Sequence, residues 1–233
     1  MIRFRTLAWS ALLLVFSFSC KSAIRHNLSQ NSPTEITDPL CFTCHGSGQD
    51  SAPPNDINGN SDTKYTGVGA HQTHLKNGSL HLAFECSTCH IVPASLESPM
   101  HIDSDLPAEV VFGTLAKVGS VNPIWNSVGC AQTYCHGNFP GGNTSNNPTW
   151  TVVDGSQAAC GTCHGISPNS GEHQRSNHRN LPCSDCHGSG YTSSKVRIAD
   201  HVNGTINVGG VGSEIVTWAN NRCTPTCHGQ KTW

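Results

Sequence analysis

The chain has 233 residues, of which 36% are hydrophobic and 12% charged, with a formal net charge of −2. No basic run or aromatic-basic interleaving is present, which excludes a nucleic-acid binder. The 23 glycines and 13 prolines, with no long helical or alternating apolar periodicity, exclude an ordinary aliphatic core.

In chain order, Arg3 and Arg5 precede an apolar run from Leu7 to Phe18, and Cys20 follows. This predicts a signal peptide over 1–19, too short for a stable membrane span. Ser19 before Cys20 fits bacterial lipoprotein processing, although Ser17 stands where that pattern usually has Leu. Lipidation of Cys20 is therefore expected, anchoring the chain to a membrane surface without crossing it. Lys21 points to outward sorting, so the expected location is the outer membrane or cell surface, with the periplasmic face as the alternative. Residues 20–40, which include His26, read as a tether.

Six cysteine pairs follow, and each ends in Cys-His. Four are compact: Cys41/Cys44-His45, Cys86/Cys89-His90, Cys160/Cys163-His164 and Cys183/Cys186-His187. Two are stretched: Cys130/Cys135-His136 has four residues between the cysteines, and Cys223/Cys227-His228 has three. The compact spacing is the attachment signature of c-type haem, in which two thiols bond the vinyl groups and the adjacent His becomes the proximal iron ligand. Extra residues can bulge out of the stretched motifs while the two sulfurs keep their separation.

A lone Cys-x-x-Cys is more often a zinc knuckle or a redox dithiol. Zinc would need a His after every pair by coincidence. Disulfides, the other expectation for an exported cysteine-rich chain, explain neither the histidines nor the repeated spacing. Six covalent haems in the mature chain leave about 36 residues for each, so porphyrin must serve as core and polypeptide as wrapping. Without haem, little stable fold is expected. Removal of residues 1–19 leaves 11 basic and 15 acidic residues. Haem propionates add negative charge, so the surface should be mildly acidic and partner contacts should weaken with salt.

The motifs fall into an internal repeat. A first three-haem module over 41–136 and a second over 160–233 each open on a compact motif. Each continues with Gly-x-His-Gln (Gly69–Gln72, Gly171–Gln174), a second compact motif, a lone His (His101, His201) and a stretched motif. Trp125 and Trp218 each stand five residues before the first cysteine of the stretched motif. Residues 137–159, rich in Gly, Asn and Pro, read as a linker or surface loop. Short helical turns are expected at the motifs, with Pro182 suiting a helix start and the Gly after five of the six ligand histidines suiting a helix end. Short strands are expected within Asp103–Phe112 and Ile206–Trp218.

Six proximal histidines leave eight others: His26, His71, His74, His81, His101, His173, His178 and His201. Bis-histidine ligation needs six. The second module offers His173, His178 and His201. The first offers His71 and His101 plus one of His74 and His81; His81 has the spacing of His178, five residues before a cysteine, whereas His74 lies in the compact His-Gln-Thr-His-Leu context.

Residues 69–137 resemble the multihaem cytochromes of metal-reducing bacteria, the Geobacter-type group that mixes CxxxxCH with CxxCH. The matching words are Gly69-Ala70-His71-Gln72-Thr73-His74-Leu75, Cys86–His90 with Ile91-Val92-Pro93, His101, Pro107-Ala108-Glu109-Val110 and Thr133-Tyr134-Cys135-His136-Gly137. The second module is similar more loosely, with three residues inside its stretched motif and no Pro-Ala-Glu-Val counterpart. The resemblance favours His74 over His81. It implies an electron carrier rather than an enzyme, at the periplasm or outer surface, serving extracellular respiration. The partners implied are other cytochromes, outer-membrane porin-cytochrome components, and metal oxides or ferric chelates.

The expected fold is thus mostly irregular with short α-helices, a haem-cored multihaem cytochrome c of two triheme modules. Two rivals come from other classes. A multihaem reductase needs one iron without a distal protein ligand, which the surplus of histidines opposes. A filament subunit, a homo-polymer, is compatible with every motif.

Overall fold

The computed structural model describes residues 44–46, 54–103 and 105–232. The signal peptide, Cys20, the tether and Cys41 lie outside the described residues. The described part falls within one compact unit spanning 36–233.

Regular structure is sparse. Among the described residues there are two α-helices of one turn and a half, α1 (His71–Leu75) and α2 (Cys183–His187), and several 3-10 turns. Strands β1 (Ile124–Trp125) and β2 (Cys130–Ala131) form one antiparallel hairpin. Strands β3 (Ile215–Ala219), β4 (Arg222–Pro225) and β5 (Lys231–Thr232) form a three-stranded antiparallel sheet in that order.

The two hairpins explain the recurring tryptophan. Trp125 is the register partner of Cys130, and Trp218 of Cys223. The β3–β4 turn is Asn220-Asn221, both at positive φ (51° and 57°), the conformation a two-residue hairpin of matching twist requires. Each stretched motif therefore begins on a strand, opposite a Trp. In the first, the intervening residues carry the chain out of β2, through Gln132 at φ 56°, into a 3-10 turn at Tyr134–His136. Two of the compact motifs begin directly on a helical turn, at Cys86–Thr88 and in α2, whereas Cys160–His164 lies in irregular turns. Pro182 sits at the N-cap of α2 as its fixed φ favours. Gly46, Gly137 and Gly188, each following a motif histidine, adopt positive φ.

The strand expected within Asp103–Phe112 does not form in the described residues there. That segment spends its hydrogen bonds on the second motif instead: Val111 N–H donates to the Cys89 carbonyl (2.9 Å) and Gly113 N–H to that of Thr88 (2.9 Å). Ile206–Trp218 carries β3 only at its end.

Apolar burial is slight. The buried hydrophobic residues among those described are Val68, Phe112, Ala116 and Cys223, and no large side chain there is fully enclosed. Among the described residues seventeen large hydrophobics are exposed. A polypeptide of this size cannot hold together on so small a core. The two repeats nonetheless touch: Leu82, Phe84 and Leu115 share a cavity of about 170 Å³ with Ile198, His201 and Val202.

Residues 137–159 are tied to both flanking motifs. Asn143 N–H donates to the Cys163 carbonyl (2.7 Å), and Cys130 N–H donates to the Pro148 carbonyl (3.1 Å). Trp150 Nε1–H reaches back to the Thr66 carbonyl (2.8 Å). A side chain on Gly69, at φ 39°, would run into the Trp150 ring.

Candidate haem sites

Six histidine pairs stand with ring centres 6.0 to 6.4 Å apart, each joining one motif histidine to one outside the motifs. They are His45–His101 (6.1 Å), His90–His71 (6.4 Å), His136–His74 (6.0 Å), His164–His201 (6.2 Å), His187–His173 (6.0 Å) and His228–His178 (6.0 Å). An imidazole nitrogen lies about 2.0 Å from a first-row metal and its ring centre about 1.1 Å beyond, so two rings across one iron stand roughly 6.2 Å apart. Too wide for direct stacking and too narrow for an intervening side chain, the gap fits a single metal atom.

The pairing is the same in both repeats. The first motif takes the lone late histidine, the second takes the Gly-x-His-Gln histidine, and the stretched motif takes the next one along. His81 faces no motif histidine in this way; it stacks on Phe84 at 4.5 Å and lies 6.4 Å from His74.

Tautomers agree with ligation. A carbonyl oxygen only accepts, so a ring bonded to one through Nδ1 carries its proton there and leaves Nε2 bare for a metal. Nine of the twelve rings are held so: His71 by Val68, His74 by Ala70, His90 by Glu109, His101 by Leu96, His164 by Gly165, His173 by Ser170, His187 by Asn207, His201 by Leu80 and His228 by Gly229, at 2.6 to 3.0 Å. Nδ1 of His136 is buried without a partner among the described residues. Burial holds His71 and His136 down to about 4, so both rings are neutral at neutral pH, as a ligand must be. Burial likewise lowers His45, His74, His187 and His201.

The roles of several supporting groups were not legible in the sequence, although Glu109 stood within the Pro107–Val110 word of the resemblance. Glu109 and Asn207 lie nineteen and twenty residues after the proximal rings they hold. Gly209 N–H donates to the Cys186 carbonyl (2.6 Å) as Val111 does to Cys89. Asn207-Val208-Gly209 is therefore the structural counterpart of Glu109-Val110-Val111, although no residue type is shared except Val at the middle position. Trp150 packs against His74 (5.6 Å, stacked) and His71 (4.8 Å, edge-on). Its contribution is a single aromatic in a turn-rich segment, with no spacing signal to mark it.

The cysteines of the second to sixth motifs form no disulfides. Burial pushes Cys89 up to about 11 and Cys130 and Cys135 up to about 12, so these sulfurs are neutral thiols that a thioether replaces without adding buried charge. Cys44 is disulfide-bonded and would have to be reduced before it could add to a vinyl group. Among the described residues no three His, Cys, Asp or Glu side chains converge on one point, which is what a zinc site would require.

Groups of several consecutive motifs lie near one another. His45 is within electrostatic reach of His90, and Cys89 of Cys130 and Cys135. Cys135 feels Cys163, and Cys186 feels Cys223 and Cys227. Between the fourth and fifth sites, Ile166 and Ser167 share a cavity of about 390 Å³ with Cys183 and Ser184.

Paired imidazoles and paired thiols are the donor set of covalent c-type haem, the group with which c-type cytochromes transfer electrons. Residues 129–164 match the family described as the Geobacter CxxxxCH...CXXCH motif, a stretch that holds the third and fourth haem motifs and crosses the segment between the repeats. No curated protein and no solved structure matches the chain.

Proposed function

We propose that the protein is a hexahaem electron carrier of the cell envelope, built as two triheme modules and used in extracellular respiration. The observation that carries this reading is the set of six ring pairs, each between a motif histidine and a distal one, at the spacing of two rings across an iron. Bound haem would supply a metal that takes up and returns one electron. The chain's own residues attach it through the cysteine pairs, hold both axial rings and fix their tautomers through Nδ1. No motif histidine is left one-sided, which supports a carrier over a reductase, since the latter needs one open position. The proximity of groups from consecutive motifs supports electron passage between neighbouring sites.

The proposed ligands are His45, His90, His136, His164, His187 and His228 as proximal rings, with His101, His71, His74, His201, His173 and His178 facing them in that order. Lipidation at Cys20 is the proposed anchor. No described helix is long and apolar enough to cross a membrane. The proposed partners are other cytochromes, porin-cytochrome components and ferric chelates or oxides.

The mass of the purified mature protein tests the count, because each haem adds about 616 Da and thioether formation loses no atoms. A mass with four haems would show that Cys130/Cys135 and Cys223/Cys227 are not attachment sites. A turnover of several per second with nitrite, hydroxylamine or sulfite, abolished by a change at one proximal His, would promote the reductase instead.

A further inference from the structure

His178 departs from the pattern set by nine of the twelve rings. Nine candidate ligands donate Nδ1–H to a main-chain carbonyl, but His178 Nδ1 faces a carboxylate, Glu172 Oε2, at 3.6 Å. The Glu172 side chain is 11% exposed and ion-paired with Arg175 Nε at 2.6 Å. Its Oε2 is buried and makes no hydrogen bond of good geometry.

The repeat explains how this arises. Glu172 occupies the place of Ala70 in the two Gly-x-His-Gln elements. In the first repeat His74 comes four residues after Ala70, and its Nδ1 lies 2.8 Å from the Ala70 carbonyl oxygen. In the second the 3-10 turn ends at Gln174, Arg175 is extended (φ −65°, ψ 135°), and His178 comes six residues after Glu172. The Glu172 carbonyl is already taken by Arg175 N–H (3.1 Å). The side chain at this position therefore stands where the main chain serves in the first repeat.

We propose that Glu172 is a positioning residue that orients the His178 ring through Nδ1 and lowers the reduction potential of the sixth site. The proposal rests on His178 and His228 being the axial pair of that site. A carboxylate acceptor makes the ring a stronger electron donor than a carbonyl does. A buried negative charge also favours the ferric state, which carries one more positive charge than the ferrous. The electrostatic part of the effect does not require the 3.6 Å gap to close to hydrogen-bond length. Arg175 offsets part of the charge, but its side chain is 58% exposed and water screens it.

The test is a potentiometric titration of the haem-loaded full-length protein, read by visible and EPR spectra, for the parent, Glu172→Gln, Glu172→Asp and His178→Ala. In Glu172→Gln one of the six one-electron steps should move to more positive potential while all six haems stay low-spin. Glu172→Asp, which keeps the charge, should hold that step near its parental position. An unmoved step in Glu172→Gln, an equal movement in Glu172→Asp, or a high-spin signal in Glu172→Gln would overturn the proposal. His178→Ala separates this from the ligand assignment. Loss of one low-spin haem supports the pair, whereas retention of all six removes the ligand assignment and the tuning role with it.

Discussion

His74 and His81 are seven residues apart, and only one of them is needed at the third site. His74 lies 6.0 Å from His136 and is pinned by the Ala70 carbonyl and the Trp150 ring; His81 lies against Phe84. His74→Ala should therefore leave one haem five-coordinate, visible as a high-spin band in the oxidised spectrum. His81→Ala should leave the spectrum unchanged. The reverse result would move the ligand to His81. Sequence alone left this pair open, because spacing to the next cysteine favoured His81 while local context favoured His74. A helical turn favours His74: residues 71 and 74 share one face of α1, as ligands of two neighbouring sites would. Gly137 is a second position where one atom decides. At φ 107° its Cβ would collide with the Cys163 carbonyl and lie 2.9 Å from that of Asn143. Gly137→Ala should cost more than about 1 kcal/mol in thermal unfolding, since alanine is strained there even with room to spare.

At the scale of elements, the plane angles divide the six pairs into two sets. Four are near parallel, at 8° to 24°, and two are crossed: His74–His136 at 69° and His164–His201 at 65°. The crossed pairs are those of the third and fourth motifs, the two within the matched stretch. Crossed axial planes keep two iron d orbitals nearly degenerate and make the ferric signal strongly anisotropic. EPR of the oxidised protein should show two centres of that type and four with the ordinary rhombic low-spin pattern. Six rhombic centres would mean that haem insertion rotates these rings. The motif cysteines and their adjacent histidines are legible as candidates because covalent attachment fixes their local spacing. The recurrence of Trp125 and Trp218 was legible too, but its reason, pairing across a hairpin with Cys130 and Cys223, was not. The segment before Phe112 was misread as a strand. Extended backbone looks alike in sequence whether its hydrogen bonds go to another strand or, as here, to a haem motif. Asn207 and Glu109 act through main-chain oxygens, which any residue type supplies: Glu109 stood in a word of the resemblance without its role being legible, and nothing marked Asn207.

For the whole molecule, the small apolar core sets the expectation that haem binding is folding. Apoprotein made without the haem-attachment machinery should lack cooperative thermal unfolding, and loaded protein should show it. A cooperative transition in the apoprotein would mean that the hairpins and loops carry more stability than their burial implies. Cys20→Ser should release haem-loaded protein into the soluble fraction, since no proposed haem site uses that thiol. Unchanged membrane association would point to a protein partner as the anchor.

The bond from His201 to the Leu80 carbonyl spans 121 residues and joins the second repeat to the first. His101, its counterpart, finds its acceptor five residues away at Leu96. If the repeats descend from a duplicated ancestor, the copies are no longer interchangeable: the later one has surrendered a local acceptor and become a dependent of the earlier. A severed N-terminal half could still anchor its lone late ring, whereas a severed C-terminal half would have its own left loose. Shuffling such units into longer or shorter arrays would then succeed only where a forerunner supplies the missing oxygen.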